Sequence, residues 1–422
     1  MPQERLQANR AVIDILCRRS GVESARLVHH AERCGQVDVI LEHGPPAARE
    51  AARLGSHRQA ADVLRVVLEH RDLLGRRDVA DLCTQRAYSL YVVNHFQAAM
   101  ESAEAGVTAA EEANDNTLLA DALLVLARVS LFARGPLRAR EAAARAVGIL
   151  ERAGDNARLA AALTELARAH SNLATVGIVA EPSDRAEAFA ERAVNIGQRL
   201  GRDEIAAQAL CYLGDARLAR GDSRGTEDLE RAVSLAGADS RVETRVRCYV
   251  NAAGGAYRTG RLADAERYVL EGLRVAADGE FFAGQYRLRL TAAAVYASRG
   301  DWDSAIAELR ALLDQPGEPG VMAALARSIL ARLLARRGDQ EAGDVLVAAL
   351  TDPAVTDDSF VAGPVAVARV ELGWLDGSLG ALTDEIERAC DLAARAAHKS
   401  VHAELCAYLH RAGIEVPGPV DA

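Results

Sequence analysis

RVRCYVNAAGGAYRTGRLADAERYVLEGL, from Arg245 to Leu273, is the stretch whose reading decides the fold. Its first half carries small residues at Ala252, Ala253 and Ala256, where two helices can approach closely, and it ends in Thr-Gly-Arg-Leu, a helix stop centred on Gly260. A second helix then begins. Ala265, Val269 and Gly272 fall at i, i+4 and i+7, so one face is small and apolar, while Asp264, Glu266, Arg267 and Glu271 mostly turn to water. Such a helical hairpin has two apolar faces and cannot bury both alone. It needs copies of itself on either side.

The sequence supplies them. Turn residues between paired helices stand at Gly55, Asn94, Gly135, Gly221, Gly260, Gly300, Gly338, Gly377 and Gly413, at spacings of 39, 41, 86, 39, 40, 38, 39 and 36 residues. The 86 reads as two units, with the missing turn hidden in TVGIVAEPSDRAEA, where a proline-containing insertion lengthens the loop around Thr175 to Ser183. AAVYASRGDWDSAIAELRALL (Ala293 to Leu313) and ARLLARRGDQEAGDVLVAAL (Ala331 to Leu350) are the best further copies. The period near 39 exceeds the 34 residues of a minimal tetratricopeptide unit, which implies longer helices or loops around the same hairpin. Longer connections, Asp314 to Gly320 and Asp352 to Pro364, fall between hairpins and read as surface loops or as lips of a binding surface.

Ahead of the array, two helices are expected at about Gln3 to Arg19 and Ser24 to Cys34, with a third short one ending before Gly44-Pro45-Pro46. Two adjacent prolines break a helix and can open the next one at its first turn, so the chain divides into an N-terminal helical segment, 1–44, and a repeat region, 45–422. The predicted fold is an all-α, right-handed superhelical solenoid of about nine hairpins, capped by the N-terminal helices and by Val401 to Gly413.

Composition excludes several functions. Half of the 422 residues are hydrophobic but only 4% are aromatic, which suits close-packed helices rather than sheets. A formal charge of −10 gives the chain no general attraction to nucleic acid or to an anionic membrane. Seven scattered cysteines, at 17, 34, 83, 211, 248, 390 and 406, form no C-x-x-C pair, so a reducing cytoplasm fits best. The N-terminus, MPQERLQANRAVIDILCRRSG, is amphipathic rather than a signal peptide, and no run approaches eighteen uninterrupted apolar residues. Lys399 is the one lysine, and it has no glycine loop around it. A nucleotide-binding P-loop is therefore absent from the sequence, and no cofactor is expected.

Each candidate site also has a plain structural role open to it. His398, His402, Cys406 and His410 recur every four residues along the last helix and could hold zinc or copper, or simply form a polar face of a capping helix. His29, His30 and Glu32 lack the spacing of a zinc motif, because adjacent histidines diverge by about 100° on a helix. No functional metal is expected. Gly254-Gly255 sits within a helical pattern without a preceding strand, so close helix packing accounts for it better than a phosphate loop. No serine or cysteine stands in a nucleophile elbow, and no enzyme activity is expected. The concave wall remains. Counting back from each turn residue along the first helix nominates Tyr88, Tyr91, Phe132, Asp215, Arg247, Tyr257, Arg258, Arg287, Arg332 and Trp374 as a groove for a protein or peptide partner or a small effector, or as ordinary packing between repeats. Within it Arg247, Arg258 and Arg287 read as a cationic patch, neutralised either by an internal carboxylate such as Asp215 or by a bound anion.

Four segments carry a family resemblance: Ala25 to Leu64 (ARLVHHAERCGQVDVILEHGPPAAREAARLGSHRQAADVL), Leu262 to Leu273, Gly363 to Gly377 (GPVAVARVELGWLDG) and Val401 to Gly413 (VHAELCAYLHRAG). They resemble the tetratricopeptide-like region of the large LuxR-type, MalT-like ATP-binding transcriptional regulators, signal-transduction ATPases whose helix-turn-helix follows the repeats. The resemblance implies an ATPase ahead of Met1 and a DNA-binding module after Ala422. Neither is among these residues, so ATP hydrolysis and DNA binding belong to the family pattern and not to this sequence. The chain is then either the sensor segment of a larger regulator or a shortened relative acting alone or beside a separate ATPase. A free-standing scaffold that recruits peptides or proteins is the alternative from another class.

Overall fold

A computed structural model describes residues 2–17, 24–133, 135–154, 156–176, 183–238, 240–277, 279–315, 321–352, 355, 361–395, 399–411 and 413. They are 86% helical, with no strand among them. Helices α1 (Pro2–Cys17) and α2 (Ser24–Cys34) lead into nine hairpins. The first four are α3 (Val37–Arg53) with α4 (His57–Leu68), α5 (Arg76–Val92) with α6 (Phe96–Glu112), α7 (Asn116–Ala133) with α8 (Pro136–Ala153), and α9 (Asn156–Val176) with α10 (Ser183–Arg199). The next four are α11 (Asp203–Ala219) with α12 (Arg224–Leu235), α13 (Val242–Arg258) with α14 (Leu262–Ala276), α15 (Phe282–Ser298) with α16 (Trp302–Leu313), and α17 (Val321–Arg337) with α18 (Ala342–Leu350). The ninth pairs α19 (Ala362–Leu375) with α20 (Thr383–Arg395), and α21 (Lys399–Arg411) follows.

The expected right-handed solenoid is present, and its turns lie where the spacing put them. All nine marked residues have positive φ, from 64° at Asn94 to 89° at Gly135. Asparagine is the residue other than glycine that enters the left-handed region most readily, which is why position 94 could be read as a turn. The concealed turn between α9 and α10 and most of the two long connections fall at 177–182, 316–320, 353–354 and 356–360, outside the described residues.

In the deciding hairpin, Ala252, Ala253 and Ala256 are buried on α13, and Ala265, Val269 and Gly272 on α14. The two glycines of α13 differ. A Cβ on Gly255 would run into Leu229 of α12, so the close packing expected there holds; one on Gly254 would meet only the Arg258 guanidinium, at 3.5 Å. The packing account is therefore corrected for Gly254. Gly254→Ala should raise stability by about 0.5–1 kcal/mol, the helix-propensity difference between the two residues, as a shift of the denaturation midpoint at unchanged slope.

A second correction concerns the prolines. No helix ends before Gly44: α3 runs from Val37 to Arg53 through Pro45 and Pro46, so the division at residue 44 falls inside a helix. The prolines delete two backbone donors, and the carbonyls left without them belong to Leu41 and Glu42, both at least partly exposed to water. What holds the helix together is its other face. Gly44, Ala47, Ala48 and Ala51 are buried, and a core running from Ile13 through Val67 to Leu82 joins the N-terminal helices to the first hairpins.

Helix α7 is long and apolar enough to span a membrane by length and composition, with mean hydropathy 1.6. In the fold its apolar residues pack against neighbouring helices, and its charges are paired, Asp121 with Arg158 at 2.9 Å and Arg128 with Glu165 at 2.7 Å.

The first helices of the hairpins line the inside of the coil. The coil is tight enough to close on itself: α5 packs against α15, five hairpins further on, and α7 against α17. Along this seam the Arg58 backbone N–H donates to Glu280 at 2.9 Å, the Arg58 guanidinium lies 5.2 Å from the centre of the Phe282 ring, and the rings of Tyr91 and Phe281 are 6.3 Å apart.

Candidate functional site

Closure turns a groove into a chamber. Each inner helix contributes about one side chain per turn to its axis, and where α5, α7, α9, α11, α13 and α15 converge those side chains meet and exclude water. The aromatic part comes early in the chain. Phe96 and Phe132 stack with ring centres 4.9 Å apart, and Tyr91 lies 5.9 Å from Phe132.

The charged part is a lattice. Glu165 receives Arg128 at 2.7 Å and Arg168 at 2.9 Å; Glu243 receives Arg247, the Tyr88 hydroxyl and, at 3.5 Å, Arg128. Arg247 also donates to the Tyr212 hydroxyl at 3.1 Å. Burial alone would raise the pKa of Glu165, but attraction from Arg128 and Arg168 outweighs it and pulls the carboxyl down to about 2. Glu243 is likewise held well below the usual carboxylate range: burial works against it, and Arg128, Arg247 and the Tyr88 hydrogen bond overcome that. Burial and the charge of Glu243 push the Tyr88 hydroxyl the other way, so it stays a donor.

Three guanidiniums are incompletely met. The Nε atoms of Arg168 and Arg247 are buried without a hydrogen-bond partner, in side chains only 2% and 4% exposed. Arg287 of α15 projects toward the same space and keeps some accessible surface, yet no carboxylate among the described residues pairs with it. Its burial, together with repulsion from Arg168 and Arg247, outweighs Tyr212 and Asp215 and lowers its pKa from the ordinary arginine value.

The structure therefore brings together five of the ten nominated groove residues: Tyr88, Tyr91, Phe132, Arg247 and Arg287. The other five lie elsewhere. Arg258 pairs with Asp215 at 2.6 Å at a more exposed edge, which is the internal neutralisation weighed for that patch. Tyr257 reaches Ser298, 3.3 Å away. Arg332 is locked between Glu371 and Glu404 near the C-terminal end, and Trp374 is exposed beside Tyr408, under the Arg411 guanidinium. Arg128, Glu165, Arg168, Tyr212, Glu243 and Phe281 were missed. Glu165 and Arg168 belong to the hairpin whose turn is concealed, so there was no turn residue to count back from. Glu243 carried a signal in its i, i+4 spacing to Arg247.

The remaining candidates sit away from the chamber. His402 and Cys406 approach to 3.7 Å on α21, while His398 lies outside the described residues. His30 bonds Asn9 at 2.8 Å, joining α2 to α1. Cys211 and Cys248 come within 3.5 Å of each other, fully buried between α11 and α13, and their hydrogen bond and burial hold the Cys211 thiol well above its ordinary pKa.

No family model matches the chain, and no curated protein does. Solved structures do. A Rap protein complexed with competence and sporulation factor superposes with a TM-score of 0.56 at 13% identity, over 83% of this chain and 96% of that one. The apo form of RapI gives 0.50 at 11%, over 66% and 97%. A weaker likeness, 0.42 at 16%, is to a signal-transduction ATPase with a tetratricopeptide repeat sensor from Pyrococcus horikoshii, over 82% of this chain and 52% of that one. At such identities the two Rap structures establish a shared fold, a tetratricopeptide-like helical solenoid.

Proposed function

We propose that this chain is the binding repeat domain of a cytoplasmic transcriptional regulator of the LuxR, MalT-like kind. It is not catalytic in itself; it receives an effector or a protein or peptide partner, and it works with an ATPase and DNA-binding module supplied in cis or in trans. The observation that carries this reading is the seam. Tyr88 and Arg128, on the second and third hairpins, both engage Glu243 on the sixth, so the width of one superhelical turn rests on a few contacts, these polar ones beside the Tyr91–Phe281 ring contact. A ligand at that place would shift the equilibrium between closed and open coils by its difference in affinity for the two. A change of coil width is also a displacement of both ends, which is the form in which a neighbouring module could receive it.

The Rap protein of similar fold is complexed with a competence and sporulation factor, which is consistent with a binding role for the coil. A second reading is a free-standing scaffold for peptides or partner proteins. It is consistent with the match extending over 96% of the solved Rap chain. Transcript profiling of a strain lacking this chain separates the two. The regulator reading expects a defined set of genes to change and an ATPase to co-purify with the chain, or to be encoded with it. Unchanged transcripts alongside a stable complex with another protein would move the assignment to the scaffold.

A further inference from the structure

In the chamber, the guanidiniums of Arg128, Arg168, Arg247 and Arg287 face the carboxylates of Glu165 and Glu243. Two further carboxylates nearby are committed elsewhere, Asp215 to Arg258 and Glu204 to Arg241. Arginine does not shed its proton at any ordinary pH, so the surplus of positive charge is permanent. Buried cations with unmet donors are costly, and an anion placed among them would offset that cost.

Above the chamber, at the seam, lies a cleft of about 440 Å³, in the size range of sites for small organic molecules. Phe281 lines both spaces. With Glu243 counted in the chamber, Arg241 is paired with Glu204 at 2.8 Å and Arg53 stands against Glu280, so the cleft is balanced and suits a neutral body. The surplus lies below, where Tyr91, Phe132 and Phe281 keep the local dielectric low and strengthen any ionic contact. The chamber as it stands has room for little more than a water-sized group. An entering anion would turn the mutual repulsion of three guanidiniums into attraction and let them part around it.

We propose that Arg168, Arg247 and Arg287 anchor the oxyanion head, carboxylate or phosphate, of a small organic effector whose neutral body occupies the seam cleft. The unused Nε of Arg168 and of Arg247 and the fork of Arg287 supply the donors. An effector held in this way would bridge α9, α13 and α15 and tighten the seam. The inference rests on the reading of the chain as a binding domain, and names the class of ligand.

Calorimetry and thermal melting in a buffer of non-coordinating ions test it with four probes: benzoate, phenyl phosphate, inorganic phosphate and benzamide. At millimolar concentration benzoate or phenyl phosphate should bind and raise the melting temperature, while neutral benzamide should do neither. The tighter of the two tells a carboxylate effector from a phosphate one. Arg287→Met should weaken that anion at least tenfold, whereas Arg299→Met, which touches only an outer pair with Glu266, should leave it within twofold. Binding of inorganic phosphate as tight as that of phenyl phosphate would remove the cleft from the proposal. No binding by any anion, or equal binding by wild type and Arg287→Met, overturns the anchor itself. Such a result leaves partner docking standing, because that is judged separately by the transcript and co-purification measurements.

Discussion

Glu243→Gln should destabilise the closed turn by about 3–5 kcal/mol, the usual penalty for removing one member of a buried ion pair. The substitution keeps shape and volume and removes charge. Arg247 and Arg128 then lose the carboxylate they share, Tyr88 loses its charged acceptor, and the cationic surplus of the chamber grows by one. Tyr88→Phe removes only the hydrogen bond across the seam, and about 1.5–3 kcal/mol is expected for a bond to a charged acceptor. Hydrogen exchange should place the loss at the seam: protection should fall on α5, α13 and α15 before it falls on α19 to α21, because repeats couple mainly to their neighbours. A second change checks the electrostatic cause. Adding Arg287→Met to Glu243→Gln should restore part of the stability, since it withdraws one of the unbalanced cations; a strictly additive double variant would mean that the two charges do not interact.

The same pair of carboxylates sets a pH window. Their folded-state pKa values lie below the ordinary 4.5, Glu165 at about 2 and Glu243 likewise well down. The stability they contribute is therefore fully present above pH 4.5 and is lost as the pH falls from there through about 2. Between pH 5 and 7 these two groups should give no slope. A steep loss of seam protection in that interval would assign the effect to another group, such as His57, which is half-buried at the seam beside Tyr88.

The repeat register was legible because a short inter-helix turn demands a left-handed residue, and glycine or asparagine at a fixed spacing records that demand directly. Small residues at i, i+4 and i+7 recorded the packing face in the same way. Closure of the coil left no such record. Whether hairpin two meets hairpin seven depends on a small rotation added at each of five interfaces, and no local pattern fixes that sum. The sequence therefore shows a concave wall and not its closure, although Tyr88 and Glu243, 155 residues apart, share a hydrogen bond. The arginine patch was half legible. Arg247 and Arg287 are in the chamber, but the third member is Arg168, and its hairpin has its turn in a proline-containing insertion. Pro45-Pro46 misled for a different reason: a propensity that holds for an isolated helix was overridden by the buried face of α3.

Gly225→Ala should lower stability by about 2 kcal/mol, although alanine is much the better helix former. Gly225 opens α12 where it crosses α11, and its neighbour across the crossing is Gly214. A Cβ at 225 would lie 2.5 Å from the Gly214 carbonyl oxygen and 3.0 Å from the Leu218 backbone nitrogen. Backbone atoms cannot rotate aside as a leucine tip can, so the two helices must move apart. The reciprocal substitution meets the same obstacle, with a Cβ at 214 falling 2.7 Å from the Gly225 oxygen. Parting these helices has a consequence beyond their own packing, because α11 carries Tyr212, which meets Arg247 in the chamber, and Cys211, which packs on Cys248 of α13. Gly225→Ala should accordingly weaken anion binding as well as stability, whereas Gly254→Ala, where the added methyl makes only an ordinary contact with the Arg258 side chain, should strengthen the fold and leave binding unchanged. The opposite signs follow from geometry alone, since the chemical change is identical. Equal and favourable effects at 225 and 254 would mean that α11 and α12 are not in backbone contact, and that the inner wall is not held in register by that crossing.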